Sequence, residues 1–423
     1  MSSDSASNVK GRSMALLAAF LGWMFDGLEM GLFPLAGRPA LKELMNATGP
    51  NADQIIGNWF GYIIAAFLVG AALGGVLFGW MGDRVGRVKA MVWSVATYSI
   101  FSGLCGFVNA PWQLGALRFI ASLGMGGEWA LGVSLVSEIW PAKSRPLLSG
   151  LIGAAANVGF FLVGVTQLLL MKYGTALSDK FHAPLWRLLF IAGALPALLT
   201  FIIRIFVPES EKWKAATSSG PKPSVADIFA PGIGKFTALG ATLAGVALLG
   251  TWASVQWIPP WASQMTGSPR LTAYTQMFAA VGAVVLPLIT ALLAGRFNRK
   301  GAYAALCILS IAVCEVLFLM RPPFGVTFLI LVTLANGITG SFYGWLPLYL
   351  PELFPTRIRA TGSGFCFNFG RVFAAGGSLI SGALLTRFGG DYAKMGSVIC
   401  LIYILGLVVI FFCPETKGKP LPE

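Results

Sequence analysis

Long apolar segments separated by short polar loops follow one another along the whole chain. Twelve of them approach the roughly 20 residues that a helix needs to cross a bilayer, at 13–37, 56–80, 88–108, 111–140, 145–171, 184–207, 234–258, 271–295, 300–320, 323–350, 357–387 and 391–413. The pattern predicts an all-α membrane protein with twelve transmembrane helices, called segments 1 to 12 below. Segment 1 is too long for the apolar core of a signal peptide, so we expect it to be retained.

Composition and charge agree with a membrane location. The chain is 56% hydrophobic and 11% charged, whereas soluble domains carry about 25% charged residues. The net charge of +13 is spread over the loops, which excludes a nucleic-acid partner. Roughly twice as many Lys and Arg lie on one side as on the other, which predicts an inner-membrane protein with both termini in the cytoplasm. One His and six Cys without a CxxC pair predict no metal and no cofactor.

A polar stretch rich in Lys, Ser and Pro divides the chain near its middle. We interpret residues 208–233 as a cytoplasmic linker between a bundle at 1–207 and a second bundle at 234–423. Motifs recur on the two sides in the same order: Glu138–Arg145 matches Glu352–Arg359, Arg87 matches Arg299, and Pro208-Glu209 matches Pro414-Glu415. The repeat predicts two pseudo-symmetric six-helix bundles, a known plan for transporters.

The loop between segments 2 and 3, Gly79-Trp-Met-Gly-Asp83-Arg84-Val-Gly-Arg87, resembles the signature loop of the major facilitator superfamily. The Glu-Pro-Arg motifs and the PES and PET motifs resemble those of its sugar-porter and metabolite–proton symporter branch, including aromatic-acid and sialate or lactate symporters. The resemblance spans the chain and implies that family's fold, transport by alternating access, and no enzymatic activity. It also implies a gate on the cytoplasmic side, formed by Asp83, Arg84, Arg87, Glu138, Arg145, Glu352 and Arg359.

Charged residues within apolar segments are costly and usually functional. Asp26 and Glu29 share one face of segment 1, while Arg118 and Glu128 lie in segment 4. Segments 1 and 4 line the central cavity in this superfamily, so we expect Asp26 to lie beside Arg118. We assign all four residues to proton coupling. A static ion pair is the alternative for Asp26 and Arg118, and a helix cap is the alternative for Glu128.

The substrate site is expected where the two bundles meet. Arg371 in segment 11 either receives a substrate carboxylate, which matches its planar fork of donors, or belongs to the gate. We assign Trp252, Gln256 and Tyr343 to the same site together with Arg118. The Pro259-Pro260 pair is expected to bend or end segment 7.

These residues predict a secondary active transporter, working as a monomer, for proton symport of a small organic anion, either a monocarboxylate or an aromatic acid. Its partners are then the small-molecule substrate, protons and the lipid bilayer. A sugar or polyol symporter is an alternative, although the paired Gln of segment 7 and the Gly-Pro pair of segment 10 that are usual in sugar porters are absent. A drug-efflux antiporter is another. The sequence has neither a Walker lysine motif nor a filter-like repeat, which disfavours an ATP-driven pump and a channel.

Overall fold

The computed structural model describes residues 3–46, 52–196, 203, 205–217 and 223–422. In these ranges the chain forms helices joined by short turns, and no strand is present. Eleven helical stretches of the described residues are long and apolar enough to span a membrane. The predicted all-helical membrane fold is therefore confirmed. Part of segment 6, residues 197–202 and 204, lies outside the described ranges.

The first half of the chain, 1–207, is called the N-half below. Its helices are α1 (Ser3–Leu44), α2 (Ala52–Val85), α3 (Arg87–Leu104), α4 (Pro111–Ile139), α5 (Arg145–Phe181) and α6 (Leu185–Ala192). Helices α1 to α5 correspond to segments 1 to 5, and α6 is the first part of segment 6. Helices α1 and α5 are longer than the apolar segments, because the helix continues into the polar flanks.

The linker contains one short helix, α7 (Glu211–Thr217). The remaining residues, 234–423, are called the C-half. Its helices are α8 (Gly234–Ala253), α9 (Ile258–Thr266), α10 (Pro269–Arg296), α11 (Arg299–Met320), α12 (Val326–Gly340), α13 (Phe342–Tyr349), α14 (Arg359–Arg387), α15 (Tyr392–Cys400) and α16 (Ile402–Phe411). Segments 7, 10 and 12 each consist of two consecutive helices, whereas segments 8, 9 and 11 are continuous.

The break in segment 7 confirms the effect expected of its two prolines. Helix α8 ends at Ala253, a 3₁₀ turn covers Val255–Trp257, and α9 starts at Ile258 with Pro259 and Pro260 in its first turn. Proline suits that position because the first-turn N–H groups have no partner within a helix. The break therefore falls just before the prolines.

Glycines let the helices of the N-half approach closely. A Cβ on Gly126 of α4 would overlap the carbonyl oxygen of Ala71 and the amide of Gly75 on α2. A Cβ on Gly22 of α1 would overlap the carboxylate of Glu128 on α4. Small residues at such crossings allow backbone-to-backbone packing within a membrane. This packing fixes α4, which carries Arg118 and Glu128, against α1 and α2.

The two halves meet along a seam in which α2 packs against α14, and α5 packs against α10 and α13. Asn368 of α14 donates one hydrogen bond to the carbonyl of Gly126 across the seam, at 3.1 Å, and another to Gly364 in its own helix, at 2.9 Å. The rings of Trp129 and Phe367 stack across the same seam with centroids 3.9 Å apart. The seam therefore contains specific contacts as well as apolar surface.

We predict that Gly126→Ala lowers the melting temperature of the purified protein, because the added methyl group has no space at the crossing of α2 and α4. Overpacking of this kind costs about 1–3 kcal/mol. The matched control is Gly376→Ala in α14, where no atom lies within 4 Å of the added Cβ. Equal melting temperatures for the two variants would show that the α2–α4 crossing has room that the structure does not show.

Candidate functional site

One carboxylate of the N-half caps a helix of the C-half. Asp83, at the end of α2, accepts hydrogen bonds from the backbone N–H groups of Ala360 at 3.2 Å and Thr361 at 2.7 Å, and from the Thr361 hydroxyl at 2.5 Å. These N–H groups belong to the first turn of α14, where they have no partner within the helix and where the helix dipole favours a negative charge. The cap holds the two halves together at this end of the seam, which is the end predicted to be cytoplasmic.

Two arginines and a second acid complete this contact. Arg87 forms ion pairs with Asp83 and with Glu138, the latter at 2.9 Å, and it donates a hydrogen bond to the carbonyl of Thr356 across the seam at 2.8 Å. Glu138 also accepts from Arg359 of the C-half at 3.1 Å. All four charged side chains are fully buried. We call Asp83, Arg87, Glu138 and Arg359 the latch.

The C-half contains an ion pair that corresponds to the Arg87–Glu138 pair of the latch. Glu352 accepts two hydrogen bonds from Arg299, at 2.9 and 3.1 Å, and one from Thr416 at 2.6 Å. Arg299 was not among the predicted gate residues, although its match to Arg87 in the internal repeat was a signal that could have identified it. Arg145 donates to the carbonyl of Ser137 at 3.1 Å and lines a small seam cavity together with Glu352.

The part of the latch that Asp83 forms has no counterpart in the repeat. The position that matches Asp83 is Gly295, which has no carboxylate, and the position that matches Ala360 is Pro146, which has no N–H. The cap on α14 is therefore not repeated at the start of α5. The predicted role of Arg84 also needs correction. Its side chain is exposed and lies over the Trp80 ring at 5.1 Å from the ring centroid, outside the latch.

The PES and PET motifs each supply a cap within their own half. Glu209 accepts from the backbone N–H groups of Arg87 and Val88 at the start of α3, and Glu415 accepts from those of Arg299 and Lys300 at the start of α11. Burial raises the pKa of the Glu209 carboxyl against the opposing effect of its N–H donors. Burial also acts to raise the pKa of Glu415, but its N–H donors outweigh it and the pKa is lowered.

A small cavity of about 40 Å³, with room for a few water molecules, lies in the seam. Its lining comes from both halves: Trp23, Met30, Ala156, Asn157, Phe160, Leu248, Thr251, Trp252, Gln256, Tyr343, Phe367 and Arg371. Four residues assigned to the substrate site, Trp252, Gln256, Tyr343 and Arg371, are among them. Arg118, the fifth, does not line this cavity.

Arg371 is the buried cation of this cavity. Its guanidinium lies over the rings of Trp23 and Phe367, at 5.9 and 5.5 Å from the ring centroids, a geometry in which the ring face attracts a cation. Asp26 lies one helical turn after Trp23 on α1, and its charge interacts with those of Glu128 and Arg371. The acid of the N-half and the arginine of the C-half therefore lie within electrostatic range of each other, and no direct ion pair joins these two described residues.

Asp26 is fully buried, and Glu128 has only 1% of its surface exposed. None of their carboxylate oxygens has a hydrogen-bond partner among the described residues, and the same holds for the Tyr98 hydroxyl that neighbours both acids. The Ser94 hydroxyl beside Glu128 donates to the carbonyl of Gly124 at 2.6 Å. Burial of a charge without a partner is very unfavourable, so this pair is suited to holding a proton.

The expected contact between Asp26 and Arg118 is wrong. Arg118 forms its ion pair with Glu29 instead, and Glu29 also accepts from the Ser102 hydroxyl at 2.7 Å. Helices α1 and α4 are antiparallel, with Glu128 against Gly22, so Arg118 lies about 15 Å farther along the pair. At about 10 Å from Gly22, Glu29 is nearer to that height than Asp26, which lies at about 6 Å. The side chain of Glu29, which is one methylene longer than that of an Asp, helps to reach Arg118 across the space between α1 and α4. The ion pair between α1 and α4 is therefore that of Arg118 with Glu29, both of which are buried, and the proton-coupling role assigned to these two residues stays a prediction.

Sequence reasoning missed several lining residues of the cavity, notably Trp23, Asn157, Phe160 and Phe367. For two of them a signal was present. Trp23 precedes Asp26 by three residues and Phe367 precedes Arg371 by four, so each shares a helical face with the charged residue. Asn157 and Phe160 lie on α5, which contains no charged residue near this depth to draw attention to that face.

Comparison with known proteins places the chain in a family. Residues 15–372 match the Major Facilitator Superfamily, so this protein is a membrane transporter of that superfamily. The probable 4-methylmuconolactone transporter of Cupriavidus pinatubonensis is 28% identical over 95% of this chain and 90% of its own length. The cis,cis-muconate transport protein of Acinetobacter baylyi is 28% identical over 96% of this chain and 95% of its own length.

Among solved structures, the proton:xylose symporter XylE bound to 6-bromo-6-deoxy-D-glucose is similar with a TM-score of 0.82. The match covers 98% of both chains at 17% sequence identity. This similarity confirms the predicted major facilitator fold of two six-helix bundles.

We predict that Asp83→Asn opens the latched end of the seam. A maleimide should label a reporter cysteine, introduced as Ser149→Cys in the seam cavity, about five-fold faster, which corresponds to the roughly 1 kcal/mol that a lost helix cap costs. The native cysteines are buried and give a low background. Arg84→Gln, in the same loop but outside the latch, is the control. An unchanged labelling rate in Asp83→Asn would show that the cap does not hold this end closed.

We also predict opposite stability effects for the two acids of α1. Glu29→Gln leaves Arg118 buried without its ion-pair partner and should lower the melting temperature markedly, since such a loss costs about 3–5 kcal/mol. Asp26→Asn removes an acid that has no hydrogen-bond partner and should leave the melting temperature unchanged or raise it. Thermal unfolding in detergent measures both. The reverse order of stabilities would contradict the pairing described here.

Proposed function

We propose that this protein is a secondary active transporter for the proton-coupled symport of a small organic anion, a monocarboxylate or an aromatic acid, by alternating access. The observation that supports this most is the placement of Arg371. It is a buried cation in the wall of an aromatic cavity and interacts across the seam with a buried acid, Asp26.

The cavity wall suggests the substrate class. A guanidinium offers a planar fork of N–H donors that matches the two oxygens of a carboxylate. Trp23, Phe160, Trp252, Tyr343 and Phe367 contribute aromatic rings to the same wall, which suits a flat, conjugated acid. The two relatives described above are named for 4-methylmuconolactone and cis,cis-muconate, both small carboxylic acids with conjugated carbon frames. Gln256 and Asn157 add amide groups that can bind a hydroxyl or a second carboxylate.

Proton binding and substrate binding are coupled in this scheme because Asp26 and the substrate carboxylate compete for the same cation, Arg371. When Asp26 is protonated it is neutral, and Arg371 is available to the substrate carboxylate. When Asp26 loses its proton it becomes a second anion beside Arg371 and competes with the substrate. The anion and the proton therefore bind together and leave together. Glu128, which lies next to Asp26 and has no cation of its own, acts as a second proton acceptor in this scheme.

Alternating access uses the latch as the cytoplasmic gate. The N-half, 1–207, rocks against the C-half, 234–423, about the central cavity, with 208–233 as the cytoplasmic connection. The arrangement described here, with Asp83 bound to the start of α14, is the state closed to the cytoplasm. The cavity holds only a few water molecules in this state, so substrate entry requires the halves to separate at the opposite end. Every group in this scheme comes from one chain, which supports a monomeric working unit in the inner membrane.

The test of this proposal is transport by the purified protein in liposomes that contain a pH-sensitive dye. We expect cis,cis-muconate, or another small conjugated acid from a panel, to drive proton entry that depends on the protein. Asp26→Asn should abolish accumulation against a gradient, because the proton site is lost, while exchange of labelled for unlabelled substrate continues. Arg371→Gln should raise the KM at least ten-fold, the loss expected for a charged hydrogen bond of about 1.5–3 kcal/mol.

Two controls are needed. One distinguishes transport from passive entry of acids, and the other distinguishes the loss of Arg371 at its site from the loss of any positive charge. Protein-free liposomes report passive permeation. Lys394→Gln removes an exposed cation of the C-half and should leave the KM unchanged. Accumulation by Asp26→Asn at the wild-type level would refute the proton site. Proton entry with sugars and not with acids would refute the substrate class.

A further inference from the structure

We propose that a groove on the outer face of the N-half binds one anionic phospholipid. The groove has a volume of about 670 Å³ and lies where the linker passes the start of α3. None of its lining residues lines the central cavity. It is therefore a second, separate site, and it does not depend on the identity of the transported substrate.

The wall of the groove is apolar along α3. Val88, Val92 and Ala96 repeat at intervals of four residues, and Trp93 stands beside them with 64% of its surface exposed. Helix α3 lies within one of the candidate membrane spans. An exposed tryptophan and a row of small apolar residues on the outer face of such a span meet acyl chains. One acyl chain can follow this row from the end of the helix into the bilayer.

The mouth of the groove carries two exposed lysines. Lys89 lies at the start of α3 and Lys214 lies on α7 of the linker. Glu209 also lines the groove, but its carboxylate accepts hydrogen bonds from backbone N–H groups at the start of α3. Lys214 is paired with Glu211 at 2.7 Å, but both side chains are more than half exposed, and such surface pairs contribute little. Two cations at the polar end of an apolar groove match a lipid phosphate above its acyl chain.

The groove also touches the latch. Trp213 of α7 lines the groove, and its indole N–H donates a hydrogen bond to the backbone carbonyl of Asp83 at 2.8 Å. Asp83 is the residue that caps α14. A lipid that packs against Trp213 therefore supports the segment that carries the cap. Because a ligand stabilises the state that binds it, the lipid should favour the latched conformation.

The experiment titrates delipidated protein in detergent with phosphatidylglycerol and follows bound lipid by native mass spectrometry and the melting temperature by fluorescence. The double variant Lys89→Gln, Lys214→Gln should bind the lipid more weakly, by about five-fold for each lysine removed, since each basic residue near a membrane surface contributes about 1 kcal/mol. The matched control is Lys172→Gln, Lys180→Gln, which removes two exposed lysines from the far end of α5. It should bind like the wild type.

Two further measurements test the apolar part of the site. Ala96→Trp fills the groove without changing a charge and should also weaken binding of phosphatidylglycerol. Soluble glycerol 3-phosphate carries the phosphate without acyl chains and should leave the melting temperature unchanged. Equal lipid affinity in the wild type and the Lys89, Lys214 double variant would overturn the proposal. A rise in melting temperature with glycerol 3-phosphate as large as that with phosphatidylglycerol would overturn the role of the apolar wall.

Discussion

A carboxylate buried between two helix bundles needs partners, and the partners of Asp83 join the two halves at one end of the seam. Its oxygens bind the free N–H groups at the start of α14 and the Arg87 guanidinium. Arg87 in turn holds Glu138, which binds Arg359 of the opposite half. The contact joins the halves through charges and hydrogen bonds, which can dissociate when water enters.

The acids in the interior of the N-half differ from Asp83 and from one another in how well they are paired. Glu29 has a complete set of partners in Arg118 and Ser102, so it contributes to the packing of α1, α3 and α4. Asp26, one helical turn before it, and Glu128 lack hydrogen-bond partners among the described residues. Two neighbouring acids of one helix thus differ in role because of what faces them. Asp26 lies one helical turn from Trp23, which lines the cavity, and within electrostatic range of Arg371 in the other half. In the proposed mechanism its charge affects the binding of a substrate.

The fold was largely predictable because its signals are local. Apolar length predicts each spanning helix, and the repeated motifs such as Glu138–Arg145 and Glu352–Arg359 indicate the two bundles. The contacts of the latch were predictable in outline, since Asp83, Arg87, Glu138 and Arg359 all lie in those motifs. The pairing of the interior charges was not predictable from the sequence. Whether Arg118 meets Asp26 or Glu29 depends on the relative height of two antiparallel helices, which is set by the contact of Gly22 with Glu128.

The other differences between the sequence-based predictions and the structure also arise from tertiary packing that the sequence does not specify. Arg84 and Arg87 are three residues apart in one motif, but only Arg87 points into the seam, because the break at Gly86 starts a new helix there. Trp23 and Phe367 are apolar residues in apolar segments, so nothing in their identity marks them as parts of a cavity. Their position beside Asp26 and Arg371 becomes visible only through helical spacing. The lipid groove could not be predicted, because it forms between α3 and a linker helix distant in sequence.

The central claim is that Asp26 and the substrate carboxylate compete for Arg371. The most direct measurement is the equilibrium dissociation constant of a transported acid as a function of pH, followed by the fluorescence of the tryptophans that line the cavity. We predict that the wild type binds the acid more tightly as the pH falls, whereas the affinity of Asp26→Asn is tight and depends much less on pH, because only Glu128 of the two neighbouring acids remains. A pH dependence in Asp26→Asn equal to that of the wild type would contradict the account, because the competing proton would then be bound elsewhere.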